Sequence, residues 1–293
     1  MPMLRPTWQL ALSGAAVLAA LAVLARGSAR PARQAVAAFG REFALVLSLL
    51  ALWQLVGGSV HTHEAGALRR ARGIASFERS LHLVSEVDVQ RVVLPHPWLV
   101  EALDRFYAYA HLTGMALFLV LMWWHRREVY PALRQTVVLT TLACLLVQIV
   151  PVAPPRLLSD LGFVDTALLY GESVYGAYGT GLSDQLSAMP SVHVAWASII
   201  AWYLWWHTGS RIRWIGPAHL GLTLFVVVAS ANHWWLDGFV AVGFVALTVA
   251  GGRMASWRTV RVSPPPSPSG SSSPRGPAPS ASSPASSSPA AGS

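Results

Sequence analysis

The sequence predicts an all-α fold, a polytopic membrane helix bundle, and three observations carry that expectation: composition, the spacing of apolar segments and the placement of arginine. Of 293 residues, 54% are hydrophobic and only 12% charged, about half the charged share of ordinary soluble domains. A helix needs about 20 mainly apolar residues to cross the hydrocarbon core. Seven segments approach that length, at roughly 8–25, 43–60, 106–124, 135–153, 190–208, 214–231 and 234–252. Arginines follow every second segment: Arg26, Arg30, Arg33 and Arg41; then Arg126, Arg127 and Arg134; then Arg211 and Arg213; then Arg253, Arg258 and Arg261. Positive connections stay in the cytoplasm, so the 154–189 connection, with Arg156 against Asp160, Asp165, Glu172 and Asp184, is expected outside.

Taken in order, residues 1–39 form an N-terminal span with its basic cytoplasmic loop, 40–252 a membrane-embedded core and 253–293 a cytoplasmic tail. The first span resembles a secretory signal, but its positive cluster follows the apolar run, which retains it as an uncleaved span with the amino terminus outside. The 61–105 connection is external by alternation, although it carries Arg69, Arg70, Arg72, Arg79, Arg91 and Arg105. Within it Leu68, Ala71, Ile74, Phe77 and Leu81 recur at roughly helical spacing, which predicts a helix lying on the membrane surface. The pairs Trp123–Trp124, Trp205–Trp206 and Trp234–Trp235 read as interfacial anchors. From Ser263 onward the chain uses only Ser, Pro, Gly and Ala apart from Arg275. Such a tail cannot bury a core and is expected to be disordered.

Composition also excludes chemistry. All 21 basic residues are arginine, so Schiff-base lysines and phosphate-loop lysines are absent. Cys144 is the single cysteine, which rules out a disulfide or a cysteine-based zinc site within one chain. The net charge of +8 is spread between apolar blocks, a pattern suited to anionic lipid headgroups and not to nucleic acid.

Three short polar stretches fall at one membrane level on the outer face: Pro154-Pro155-Arg156, Met189-Pro190-Ser191-Val192-His193 and His233-Trp-Trp-Leu-Asp237. Pro190 suits a first helical turn, and the amides of Ser191, Val192 and His193 then lack intrahelical partners. Such a terminus binds phosphate; Ser191 adds a hydroxyl or merely caps the helix. His233 and Asp237, four residues apart, share a helix face, so the carboxylate holds one imidazole nitrogen protonated and leaves the other free to attack. Arg156 offers a planar fork for two phosphate oxygens or snorkels to headgroups. Together these groups supply a nucleophile, its orienting carboxylate, a leaving-group acid and a charge clamp, the parts of phosphoryl transfer.

The order Arg, Pro-Ser-x-His, His-x-x-x-Asp resembles the type 2 phosphatidic acid phosphatase superfamily. Pro-Pro-Arg and Met-Pro-Ser-x-His place it near the branch that includes inositol phosphorylceramide synthase and inositol phosphotransferases. The resemblance covers roughly residues 40–252 and implies a six-helix phosphatase-like core behind one N-terminal span. It implies His233 as the nucleophile forming a phosphohistidine, Asp237 as its partner, His193 as the acid for the leaving oxygen, and Arg156 and Ser191 as phosphate ligands. It further implies no metal and no cofactor, a lipid phosphate or phospholipid substrate among membrane lipids, and water or a polyol such as inositol as acceptor. The expected setting is a bacterial cell membrane with the site on the extracytoplasmic face.

The chain departs from the family pattern at four positions. Ile149 stands where a lysine is usual, Leu157 where a proline follows the arginine, Val192 where a glycine is usual, and Val227 where the third motif carries an arginine. Two positive phosphate ligands are missing. Within the 154–189 connection, Glu172, Tyr175, Tyr178, Asp184 and Gln185 are candidates for lining a headgroup pocket. Two other classes compete: a metal protein using His193, His233 and Asp237 as ligands, and a transporter or lipid-binding protein without turnover. His111, in the third segment, is expected to be satisfied by a neighbouring helix.

Overall fold

The computed structural model describes residues 8–26, 30–59, 64–170, 186–209 and 211–262. The chain divides into the units Met1–Met254 and Ala255–Ser293. The candidate pocket residues Glu172, Tyr175, Tyr178, Asp184 and Gln185 and the tail from Ser263 lie outside the described residues. The elements in order are α1 (Trp8–Ala25), α2 (Pro31–Ser59), α3 (Glu64–Ser80), α4 (Glu86–Val93) and α5 (Pro97–Arg105). A π-turn at Phe106–Ala110 leads into α6 (His111–His125), followed by α7 (Tyr130–Gln148), α8 (Thr166–Leu169), α9 (Val192–His207), α10 (Ile215–Ala229) and α11 (Trp235–Val262). Among the described residues there is no strand, only one isolated bridge between Val152 and Ser187. The all-α membrane bundle is therefore what the chain forms.

Six of the apolar stretches are long enough to cross a membrane. The remaining expected span, the fifth at 190–208, is α9, a 16-residue helix because Ser191 caps it at Val192. The second span starts earlier than expected, at Pro31, and pairs with α1: the carbonyl of Leu18 lies 3.2 Å from where a Cβ on Gly40 would stand. This hairpin touches α7 through Glu42, which accepts from Tyr130 Oη at 2.9 Å and from Arg134 at 2.6 Å.

Lipid offers no hydrogen bonds, so polar side chains on spans must find one another. The inner face of α7 does so. Thr136 meets Tyr203 at 3.0 Å, Thr140 meets Thr248 at 3.0 Å, Thr141 accepts from Trp196 Nε1 at 3.1 Å, and Gln148 donates to the Pro190 carbonyl at 3.3 Å. Helices α9 and α10 approach so closely at Gly216 that a Cβ there would stand 2.7 Å from Ala201 Cα.

The outer end is a second packed layer. The helix expected on the membrane surface is α3, but the face it buries runs through Ala67, Ala71 and Glu78, packed on protein, while Phe77 and Leu81 are exposed. It shares a core with Val152, Leu158, Leu186 and Trp234. Trp234 is thus no interfacial anchor. It is fully buried, donates its indole N–H to the Ala153 carbonyl at 3.0 Å, and meets Phe163 edge-on. Four of the six arginines that strained the charge rule are engaged by protein: Arg72 with Asp160, Arg91 with Asp88, Arg105 with Glu101, and Arg70 with the Pro151 carbonyl.

Two buried acids of this layer, Glu78 and Glu86, accept the backbone N–H groups of Leu236 and Trp235 at the start of α11, at 2.6 and 3.2 Å. They complete the helix's unsatisfied donors as an N-cap does. Burial, then the adjacent Glu86 carboxyl, pushes Glu78 up from 4.5 to about 9, with the charge of Asp237 adding and the Leu236 N–H opposing.

Two outcomes follow. Gly216→Ala, forced against backbone, lowers stability in detergent by about 1–3 kcal/mol, whereas Gly221→Ala, where the new Cβ meets nothing within 4 Å, is neutral or stabilising; thermal melts of both variants check this. Between pH 4.5 and about 9 the folded chain holds a Glu78 proton that the unfolded chain releases. Stability therefore falls as pH rises through that window, by at most about 1.4 kcal/mol per pH unit, and levels above it. Glu78→Gln, which keeps a neutral acceptor, flattens that slope in melts taken across the window.

Candidate active site

The three polar stretches converge at the end of the bundle under α3 and α4. Each is held by backbone irregularity and not by helix register. The third stretch departs most from expectation. His233 is not on a helix: α11 starts at Trp235, after a turn in which Ala231 adopts φ 52°. Asp237 sits in the first turn of α11 and reaches back, its Oδ2 accepting the Trp234 N–H at 2.9 Å and lying 3.3 Å from His233 Nδ1. The pair forms because a carboxylate folds back to cap its own helix, not because two residues share a helix face.

His233 Nδ1 has a second and closer partner, the Ala188 carbonyl at 2.7 Å. A carbonyl can only accept, so Nδ1 carries the proton and Nε2 carries the lone pair. Nε2 is buried and makes no hydrogen bond among the described residues. The side chains of His233 and Asp237 are 5% and 0% exposed. A buried, desolvated, tautomer-fixed imidazole with an open nitrogen is the form a nucleophile requires.

Ser191 is the N-cap of α9, with its Oγ accepting the Val194 N–H at 3.3 Å, so its hydroxyl has the capping role. Pro190 precedes this cap instead of occupying the first helical turn, and the Met189–Pro190 peptide is cis. The Ser191 N–H donates to the Asp237 carbonyl at 3.3 Å, which ties the start of α9 to the first turn of α11. His193 lies in the first turn of α9, its ring centroid 5.4 Å from that of His233.

Arg156 lies in a 3₁₀ turn at Pro155–Leu157 and is buried. Its N–H donates to the Ala231 carbonyl at 2.9 Å, Nε to Asn232 Oδ1 at 2.9 Å, and Nη1 to Asp165 Oδ2 at 3.0 Å. The guanidinium is therefore fixed against the very turn that carries His233. Asp165 also caps α8 by accepting the Leu168 N–H. Arg156, Ser191, His193, His233 and Asp237 are thus joined by contacts around the 231–237 turn.

Sequence reasoning assigned no site role to four neighbours: Asn232, Asp165, Tyr107 and His111. Asn232 adjoins His233 in the chain, and an amide beside a motif histidine was the available signal. Asp165 was counted only as loop charge. His111 is not satisfied by a neighbouring helix. It donates to the Tyr107 carbonyl at 3.0 Å within its own helix and packs on His193 with ring centroids 3.8 Å apart. Ile149 is 53% exposed and Val227 fully buried, so neither position presents a polar atom where relatives carry cations. Among the described residues, no three His, Cys, Asp or Glu side chains are grouped to hold a metal ion.

No curated protein and no solved structure matches the chain. A family model described as the PAP2 superfamily matches residues 72–251, from within α3 to the membrane-crossing part of α11, and leaves the α1–α2 hairpin outside. Membership supports a phosphatase-type enzyme acting on lipid phosphates. With more than half of its length matched, and the three motif stretches inside that match, the chain belongs to the PAP2 superfamily.

Proposed function

We propose that the chain transfers a phosphoryl group from a lipid phosphate or lipid phosphodiester through a phosphohistidine on His233, with a polyol such as inositol as acceptor. The observation that carries this reading is the fixed tautomer of His233, with Nδ1–H held by Ala188 and Asp237 and Nε2 open. Nε2 attacks phosphorus in line as the bond to the leaving oxygen breaks. His193 protonates that oxygen and then accepts the proton of the incoming alcohol as it displaces His233. Arg156 and the first amides of α9, beside Ser191, hold the phosphate oxygens. With Ile149 and Val227 in place of cations, Arg156 carries most of the charge neutralisation.

Water resolves the same intermediate, and the phosphatase reaction is the second reading, favoured by the family to which the chain belongs. The transferase reading is supported by the Pro-Pro-Arg and Met-Pro-Ser-x-His stretches, which resemble the inositol-transferring branch, and the loss of two cations is compatible with it. The alternation of arginine along the chain supports an extracytoplasmic site and a cytoplasmic tail. Arg126, Arg127, Arg134, Arg211 and Arg213 flank the helix ends opposite the site.

Purified protein in detergent, given phosphate-labelled phosphatidic acid, is expected to turn over without added metal. His233→Ala removes at least about a thousandfold of the rate; full turnover in that variant would overturn the reading. Added inositol is expected to divert label from free phosphate into phosphoinositol, while unchanged phosphate release would leave the phosphatase.

A further inference from the structure

The proposed reaction leaves Tyr107 and His111 without a task, although both contact His193. They are presented by the π-turn Phe106–Ala110, in the middle of the apolar stretch Pro97–His125. In a π-turn a carbonyl accepts the N–H five residues ahead; such turns are rare and concentrate at functional sites. Tyr107 stacks on the His193 ring with centroids 4.2 Å apart and planes at 21°. His111 lies against the same ring at 3.8 Å and 53°. Tyr107 and His111 are 6.4 Å from each other, so they grip His193 from two sides instead of forming one stack.

The grip is itself locked. His111 Nδ1 donates to the Tyr107 carbonyl at 3.0 Å, which leaves its Nε2 as a lone pair in the histidine cluster. His193 Nδ1, by contrast, is buried and makes no hydrogen bond among the described residues. The Tyr107 backbone supplies a hydrogen bond to His193, and the two ring contacts complete its orientation. An aromatic face within about 6 Å attracts a cation, most strongly when water is excluded.

We propose that Tyr107 and His111 form a clamp of positioning residues that orients His193, with the Tyr107 ring face supporting its imidazolium form, the form able to protonate a poor leaving group. This rests on the reading of His193 as leaving-group acid. As the His233 Nε2–P bond forms, the P–O bond breaks and its electron pair takes a ring proton from the His193 imidazolium. The N–H pair stays on His193, which becomes neutral. The attacking alcohol or water returns a proton to His193 as its oxygen bonds phosphorus and the N–P pair reverts to His233. Tyr107 stabilises the cation across its ring face, and His111 fixes the second side.

The test compares an alkyl phosphate, whose alkoxide needs a proton to leave, with p-nitrophenyl phosphate, whose aryloxide does not. The full chain in detergent micelles is used, with His193→Ala as the reference. His193→Ala is expected to slow the alkyl ester far more than the aryl ester. Tyr107→Leu reproduces that selectivity with about a tenfold loss on the alkyl ester, and Tyr107→Phe, which keeps the aromatic face, recovers most of it. Melting curves establish that Tyr107→Leu is folded; should it not be, His111→Asn carries the test with the same selective loss expected. Equal slowing of both esters by the clamp variants, or no slowing, overturns the clamp while leaving His193 as acid. Equal slowing of both esters by His193→Ala overturns the acid assignment, and the clamp with it.

Discussion

The site depends on one carboxylate doing two jobs. Asp237 Oδ2 caps its own helix through the Trp234 N–H and at the same time faces His233 Nδ1. The first contact forces the chain to reverse just before α11, and the second makes that reversal chemically useful. Around the reversal the Ala231 carbonyl receives the Arg156 N–H and Asn232 receives the Arg156 side chain. The Asp237 carbonyl receives the Ser191 N–H. Removing the carboxylate would leave the His233 tautomer to the Ala188 carbonyl alone and would loosen the turn to which the other two motifs are attached.

Burial of so much polarity near a membrane is costly unless each group is matched. The chain meets that cost with a protein layer of its own. Helices α3 and α4 cover the turn and bring Glu78 and Glu86 to the open N–H groups of α11. Trp234 fills the space beneath, bonded to Ala153. Deeper in, the threonines of α7 satisfy one another and their neighbours, so that α9, α10 and α11 pack without stranded hydroxyls at those positions. His233 Nε2 is buried and makes no hydrogen bond among the described residues, and it shares that state with His193 Nδ1 and Asp237 Oδ1 beside it.

Much of this was legible in the sequence, for stated physical reasons. Span length and arginine alternation are set by bilayer thickness and charge, which act on composition alone, so the helical bundle could be read directly. The three motif stretches could be read as one site because polar residues at membrane depth demand partners. What could not be read was local geometry. His233 and Asp237 have helical spacing, yet His233 lies outside the helix, because four-residue spacing describes a capping return as well as it does a helix face. Trp234 looked like an interfacial anchor because it forms a tryptophan pair with Trp235 at the start of an apolar span. Glu78 stands four residues after Ile74 and seven after Ala71, on a face assigned to the membrane surface, and only packing revealed that Ala67, Ala71 and Glu78 meet protein. Tyr107 and His111 carried no motif, and the π-turn that presents them has no reliable composition.

The central claim is that Nε2, and not Nδ1, of His233 takes the phosphoryl group, because Nδ1–H is held by Ala188 and Asp237. The most direct measurement is to trap the phosphoenzyme at acid-free pH with labelled lipid phosphate, digest it, and assign the phosphorylated residue and ring nitrogen by mass spectrometry and phosphorus NMR. The account predicts phosphate on His233 at Nε2. Phosphate on Nδ1, or on His193, would contradict it.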